Sequence, residues 1–233
     1  MKKVFYFITL PFREGNLGIL LGGTIMIFIC ELLEYLGSAI LGSYGGIPGL
    51  LIKICAIALC IDYIYQLTES MYSGEDNFPY WEIRSINFSE LLENFIPILV
   101  GFIYAVILSF LHYLFFIIFK KFDFSIFYFF THIKNFGLFF YFSLFFPAIF
   151  FISAIEKNNL GAYNPFIILK IIVNSMPYYI IFTIITFILL VFFINLNIPV
   201  KIIGSFIKWF IMLYLLLLYG MITGKIYRKL FNS

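Results

Sequence analysis

Two glutamates, Glu31 and Glu34, stand three residues apart in an otherwise apolar run. On an α-helix this spacing places both carboxylates on one face. If the helix spans a bilayer from Leu17 to Leu41, an ionised side chain at its centre costs about 2.5–3.5 kcal/mol on insertion scales. Such residues face the interior of a helix bundle and mark ion or proton pathways. A span that starts near Gly15 and ends near Glu34 would instead place both carboxylates at the headgroups.

A lysine, Lys53, lies in the next apolar run, Leu50–Leu67. It stands nine residues before Asp62, so the two side chains point to different helix faces and do not pair with each other. Lys53 could pair with Glu31 or Glu34 of the neighbouring helix, because opposite charges attract strongly where the dielectric constant is low. The alternative is that its long side chain reaches out to the nearby interface.

Lys170 and Asn174 share a face of the fifth predicted helix, Phe166–Ile194, and Pro177 follows them. The proline leaves the carbonyl of Val173 without its helical partner and predicts a kink. A kinked helix with polar neighbours could line a cavity, although membrane helices also accommodate proline in this way without any site. The sequence thus predicts one possible intramembrane polar site, formed by Glu31, Glu34, Lys53, Lys170 and Asn174.

Sequence motifs of catalysis and metal binding are missing. The chain contains no H-E-x-x-H, no G-x-S-x-G and no phosphate-binding glycine loop. Cys30, Cys55 and Cys60 lie in apolar runs without metal-ligand spacing, so we expect them to pack as small apolar residues. The basic residues are scattered, which disfavours a nucleic-acid partner. We predict no catalytic residue, cofactor or metal, and we favour a protein that is not an enzyme.

The composition determines where these polar residues must lie. Hydrophobic residues make up 63% of the 233 residues and charged residues 12%, whereas soluble domains carry about 25% charged residues. A water-soluble fold of this size could not bury so much apolar surface. The apolar runs are continuous, as in Phe136–Phe151, and do not alternate as barrel strands do. Helices that cross a lipid bilayer are therefore predicted.

A spanning helix needs about 20 apolar residues, and the chain has about six such segments. They are Leu17–Leu41, Leu50–Leu67, Leu91–Phe119, Phe136–Ile155, Phe166–Ile194 and Ile202–Thr223. The predicted fold is all-α, a polytopic transmembrane helical bundle that forms a single domain over residues 1–233.

The longest polar stretch, Thr68–Ser89, separates the second and third segments. We predict that it is an amphipathic interfacial segment held at the membrane surface. Tyrosine and tryptophan favour the headgroup region, because the ring meets lipid and the polar tip meets water. Pro79, Tyr80 and Trp81 are the predicted interfacial anchors.

Short signals mark helix starts and one helix contact. Asn87–Glu90 forms a capping-box pattern, and Asn164 followed by Pro165 is typical of a helix start. The pair Gly18 and Gly22, four residues apart, would allow another helix to approach closely.

The lysines and arginines predict the orientation. With six spans both termini lie on one side, and that side carries more of these residues than the other. We therefore predict a multi-pass protein of the cell membrane with cytoplasmic termini. The pair Lys120 and Lys121, on the opposite side, argues against this orientation.

Three groups of residues, in this order, resemble a known family. They are Leu10-Pro11-Phe12 with the glycines that follow, Gly74-Glu75-Asp76 with Phe78-Pro79-Tyr80-Trp81, and Gly224-Lys225-Ile226-Tyr227-Arg228. The sequence resembles domain of unknown function 4013, a family of uncharacterised polytopic membrane proteins, mainly archaeal. That family usually has a glycine before the tyrosine after the second span, where this chain has Asp62. The resemblance implies a helical membrane bundle and no particular activity.

Two functions remain open at this point. The first is a non-enzymatic scaffold, assembly factor or complex subunit, with the lipid bilayer and either a membrane protein or a second copy as partners. The alternative is a transporter or permease with a polar path lined by Glu31, Glu34, Lys53 and Lys170.

Overall fold

The computed structural model describes residues 9–12, 16–42, 46–75, 78–81, 93–118, 136–156, 163–195 and 201–231. Within these ranges the chain is helical and contains no strand. Within the described residues a short 3-10 turn, Leu10–Phe12, precedes seven α-helices. These are α1 (Asn16–Leu41), α2 (Ile47–Ser73), α3 (Ile96–Ile118), α4 (Phe136–Ile155), α5 (Pro165–Asn174), α6 (Tyr178–Asn195) and α7 (Lys201–Phe231).

Four of the described helices are long and apolar enough to cross a membrane, namely α1, α2, α4 and α7. A fifth span results if α5 and α6 count as one bent span. In α3 the apolar stretch Ile96–His112 is shorter than the apolar stretches of these four helices. The described residues thus give four to five candidate spans where the sequence predicts about six, and they indicate a membrane protein.

The predicted fifth segment, Phe166–Ile194, is wrong as a single kinked helix. It consists of two helices, α5 and α6, whose axes are bent by 111°. Ser175 closes α5, because its hydroxyl donates a hydrogen bond to the carbonyl of Ile171 at 2.6 Å. Pro177 has no backbone N–H with which to continue the helix. The chain therefore turns at this point.

The predicted interfacial loop also starts later than expected. Helix α2 continues as far as Ser73, and Thr68 and Ser70 within it are buried. The helix ends at Gly74, whose φ of 101° suits glycine and few other residues. Residues 82–90, with the predicted capping box, lie outside the described residues.

The chain divides into two compact units. Unit one comprises residues 1–95 and 195–233 and contains α1, α2 and α7. Unit two comprises residues 96–194 and contains α3 to α6. The single domain over residues 1–233 stays a prediction.

Glycines bring the helices of unit one together. A Cβ atom on Gly224 of α7 would lie 2.4 Å from the backbone oxygen of Thr68 on α2. One turn earlier, a Cβ atom on Gly220 would lie 2.9 Å from the Thr68 hydroxyl. The predicted pair makes no such contact, since a Cβ atom on Gly18 or Gly22 would have nothing within 4 Å among the described residues.

The core of unit two forms where α5 and the start of α6 pack on α4. Ile168, Ile172 and Tyr179 share one buried cluster with Ala148 and Ile152 of α4. Their apolar side chains fix the position of α5 against the rest of the unit.

Candidate intramembrane polar site

The two glutamates of α1 meet the lysine of α2. The Lys53 Nζ atom lies 3.1 Å from Glu34 Oε2 and 3.8 Å from Glu31 Oε1. The Lys53 side chain is 18% exposed, and those of Glu31 and Glu34 are 35% and 32% exposed. The cross-helix pairing that the sequence allowed is therefore present. Lys53 points toward the two carboxylates.

A glycine explains why this contact is so close. A Cβ atom on Gly49 would lie 2.4 Å from the backbone nitrogen of Glu34 and 2.5 Å from its Cα. Gly49 and Lys53 are one turn apart, so they occupy the same face of α2. The absence of a side chain at Gly49 lets the backbones of α1 and α2 touch, and Lys53 on the same face then reaches the carboxylates.

Helix α7 supplies two further partners. The Trp209 indole donates a hydrogen bond from Nε1 to Glu31 Oε2 at 2.7 Å, and the Ser205 hydroxyl donates to the same oxygen. Ser205 and Trp209 are four residues apart and share one face of α7. The Lys53 ammonium also lies 6.0 Å from the centre of the Trp209 ring, within the range of a cation–π contact. We call Glu31, Glu34, Lys53, Ser205 and Trp209 the charged cluster.

The charged cluster lies well inside the ends of its helices. Lys53 is six residues from the start of α2 at Ile47, and Glu34 is seven from the end of α1 at Leu41. At 1.5 Å per residue the cluster is therefore about 10 Å from these helix ends. Helix α1 continues past Glu34 as far as Leu41. The depth of the cluster in a bilayer stays a prediction.

The charges of the cluster do not cancel. Two carboxylates and one ammonium carry a net charge of −1 when all three are ionised. Glu31 accepts hydrogen bonds from two neutral donors and faces the lysine as well. Chemically, the arrangement can hold three helices together or exchange a proton.

The remaining residues of the predicted polar site belong to a different unit. Lys170 and Asn174 both lie on α5 in unit two, and both are exposed. The predicted set of five therefore divides into three residues that meet and two that stand on a separate helix.

Sequence reasoning missed Ser205 and Trp209. They are separated from Glu31 by 174 and 178 residues along the chain. The available signal was a serine and a tryptophan one turn apart in an apolar segment. That spacing shows a shared face but does not show which helix the face meets.

The predicted interfacial anchors pack in different ways. Tyr63 of α2 donates a hydrogen bond to the carbonyl of Pro79 at 3.0 Å, and its ring lies 5.4 Å from that of Trp81. Tyr80 is 92% exposed. Trp81 also lines an apolar crevice beside Gly23, so it covers the bundle while Tyr80 points outward. The anchoring role of the three residues stays a prediction.

Among the described residues no group of three or more His, Cys, Asp or Glu side chains could hold a metal ion. Comparison of the chain with protein-family models, curated proteins and solved structures found no match. The resemblance to domain of unknown function 4013 therefore rests on its sequence motifs. The charged cluster and the helices around it are therefore the structural basis for the proposed function.

Proposed function

We propose that this chain is a non-enzymatic multi-pass membrane protein that acts as a scaffold, assembly factor or complex subunit. One observation carries the proposal: the charged groups of α1 and α2 pair with each other and with α7. Glu31 and Glu34 are engaged by Lys53, Ser205 and Trp209. Polar contacts of this kind hold helices together in lipid.

The outer faces of the helices support the same function. Ile25, Ile29 and Leu33 of α1 form an exposed row, each 45–49% accessible. Such a row contacts lipid or the apolar helix of another membrane protein. A scaffold needs apolar faces of this kind for its partners, whereas a polar path would need exposed polar groups along a cavity.

Affinity capture tests the scaffold function. The full chain with a C-terminal tag is extracted from its native membrane in a mild detergent, captured and sized. We expect it to elute with a membrane-protein partner or a second copy. The matched control carries the same tag and the substitutions Ile25→Ala, Ile29→Ala and Leu33→Ala, which shorten the side chains of the exposed row. We expect this control to lose the partner. Recovery of the unaltered chain always as a lone monomer would contradict the proposal.

A transporter or permease is the second candidate, and two observations favour it. The charged cluster carries an uncompensated negative charge, and intramembrane carboxylates mark ion and proton paths. The α5–α6 pair is bent by 111°, and discontinuous helices form the ion and substrate sites of many transporters. The path would include Glu31, Glu34 and Lys53, with Lys170 on the helix before the break.

Proton flux separates the two candidates. The full chain is reconstituted in vesicles that enclose a pH-sensitive dye, and a pH step is applied across the membrane. For a scaffold we expect leakage equal to that of protein-free vesicles. Leakage above this level that Glu34→Gln abolishes would favour the transporter.

We further propose residence in the cell membrane with cytoplasmic termini. Lys225, Arg228 and Lys229 at the end of α7 support this, since basic residues collect on the cytoplasmic side. Fusion of a reporter that is active only in the cytoplasm to the C-terminus tests it. An inactive but well-expressed fusion would reverse the orientation.

A further inference from the structure

Helix α5 has an unusual direction for part of a membrane span. The 111° bend sets its axis close to perpendicular to that of α6. Helix α6 has 18 residues, enough for about 27 Å, whereas the ten residues of α5 measure about 15 Å. If α6 crosses the bilayer along its normal, α5 runs about 20° from the membrane plane, and an ordinary tilt of α6 toward α5 brings it into the plane.

The contacts of α5 with α4 lie near the end of α4. Ile168 is 0% exposed and Ile172 8% exposed, and both pack in the cluster with Ala148 and Ile152. Helix α4 ends at Ile155. The contact therefore lies about 5–10 Å inside the end of α4. Amphipathic helices that lie on a membrane bury their apolar face to about that depth.

The exposed side of α5 divides into two flanks. With about 100° of rotation per residue, Phe166, Leu169 and Val173 project on one side of the buried Ile168–Ile172 face. Lys170 projects almost opposite the buried face, and Asn174 projects on the other side beside Ile167, which is 42% exposed. Phe166 and Val173 are 79% and 67% exposed, so the apolar flank has no cover within the described part of the chain. The apolar flank suits acyl chains, and Lys170 stands beside it, so its long side chain can extend from the acyl region to the headgroups.

Both ends of α5 are closed by their own side chains. Asn164 accepts a hydrogen bond from the backbone nitrogen of Phe166 at 2.9 Å. At the other end, Ser175 donates to the carbonyl of Ile171 at 2.6 Å. A helix whose terminal polar groups are satisfied in this way can stand alone at an interface.

We propose that α5 lies along the headgroup boundary of the bilayer and that Lys170 binds the phosphate group of an anionic phospholipid. Lys170 is the one lysine or arginine among the described residues of unit two. Its ammonium group complements the phosphate charge, while Phe166, Leu169 and Val173 insert among the acyl chains. The inference depends on the proposed membrane placement of the chain.

Probe depth tests the orientation of α5. Phe166→Cys and Val173→Cys are made in the full chain after Cys30, Cys55 and Cys60 are replaced by alanine. A fluorophore at each site is quenched by lipids that carry spin labels at defined depths. The two sites share one flank and stand seven residues apart, about 10 Å along the axis. An in-plane helix gives them the same shallow depth, and a difference near 10 Å would overturn the proposal.

A probe at Ile184→Cys, on the exposed face of α6, is the matched control. We expect it to be quenched most by labels deep in the acyl region. No quenching at Ile184 by any lipid label would show that the membrane placement itself is wrong. Deep quenching at Ile184 together with unequal depths at Phe166 and Val173 would overturn only the orientation of α5.

Lipid retention tests the role of Lys170. The unaltered chain and the Lys170→Gln variant are incubated with equal amounts of phosphatidylglycerol and phosphatidylcholine and analysed by native mass spectrometry. One lysine near a membrane surface contributes an attraction that corresponds to about a fivefold preference for anionic lipid. We expect Lys170→Gln to lose this preference and Lys170→Arg to retain it. An unchanged preference in Lys170→Gln would contradict the phosphate contact.

Discussion

Glu31 is the residue at which three helices of unit one meet. Its side chain faces Lys53 of α2 and accepts hydrogen bonds from Ser205 and Trp209 of α7. Glu34 faces Lys53 alone among these partners. A change at Ser205 or Trp209 therefore removes a hydrogen bond of Glu31, whereas a change at Lys53 removes an ion pair from both glutamates.

Removal of the lysine should cost more than removal of the pair. Lys53→Met leaves Glu31 and Glu34 facing each other without a cation. We expect a loss of about 1–2 kcal/mol in the free energy of unfolding, because the side chains are about one-third exposed and the full buried-pair penalty does not apply. Glu34→Gln in the same chain should recover part of this loss. Thermal unfolding in detergent, followed by the reaction of the buried Cys30 and Cys60 with a thiol dye, measures it. A double variant less stable than Lys53→Met would contradict the pairing.

The indole of Trp209 should couple to Glu31. Trp209→Phe keeps an aromatic ring but removes the N–H donor, and we expect a loss of about 1 kcal/mol. In a double-mutant cycle with Glu31→Gln the two effects should not add, since Glu31→Gln removes the charge that strengthens the hydrogen bond and Trp209→Phe removes its donor. Trp81→Phe is the matched control, because Trp81 packs on Tyr63, and its effect should add to that of Glu31→Gln. Additive effects for Trp209 as well would contradict the contact.

At the scale of the helices, glycine positions decide which pairs come close. Gly220 and Gly224 stand one turn apart on α7 and face Thr68 of α2, whereas Gly18 and Gly22 on α1 face open space in the described chain. The same four-residue spacing of glycines is therefore covered by a neighbouring helix on α7 and left open on α1. Spacing defines a small-residue face, but only the packing of the whole unit determines whether another helix covers that face.

This difference gives a matched pair of substitutions. A Cβ atom on Gly224 would meet backbone atoms of Thr68 and Tyr72 at 2.4 and 3.1 Å, so α2 and α7 must move apart in Gly224→Ala. We expect a loss of about 1–3 kcal/mol from overpacking. Gly22→Ala adds a methyl group in open space and should leave stability unchanged or raise it by up to about 1 kcal/mol through helix propensity. The thiol-dye unfolding assay compares the two. Equal losses would contradict the α2–α7 contact.

Some features of the elements follow from sequence and others do not. Apolar runs mark α1, α2, α4 and α7 because every backbone polar group of a spanning helix must be satisfied internally. Asn164 caps α5 as predicted, since a cap is a local contact. The 111° turn after α5 was predicted only as a kink. Its size depends on the packing of Ile168 and Ile172 against α4, which the local sequence does not specify.

The charged cluster shows the same limit. Glu31, Glu34 and Lys53 were grouped from their charges and from the adjacency of the first two apolar runs. Lys170 was grouped with them because it is also a charge in an apolar run, but it belongs to unit two. Which helices become neighbours depends on contacts between distant segments, and one sequence carries no direct record of those contacts.

For the whole molecule, the central claim is that lipid surrounds the apolar faces of these helices. Buried residues such as Leu20 and Ile27 are each 1% exposed, while Ile29 on the same helix is 49% exposed. In water a row of such exposed side chains would drive aggregation. In hydrocarbon the acyl chains surround this row, so it needs no protein partner.

Labelling from within the bilayer tests this claim most directly. The chain in its native membrane is irradiated in the presence of a lipid whose acyl chain carries a diazirine, and adducts are mapped by mass spectrometry. We expect adducts on exposed residues of the spans, such as Ile29 on α1 and Ile184 on α6, and none on buried Leu20 or Ile27. Recovery of the chain in the soluble fraction without adducts, or equal labelling of buried and exposed residues, would contradict it.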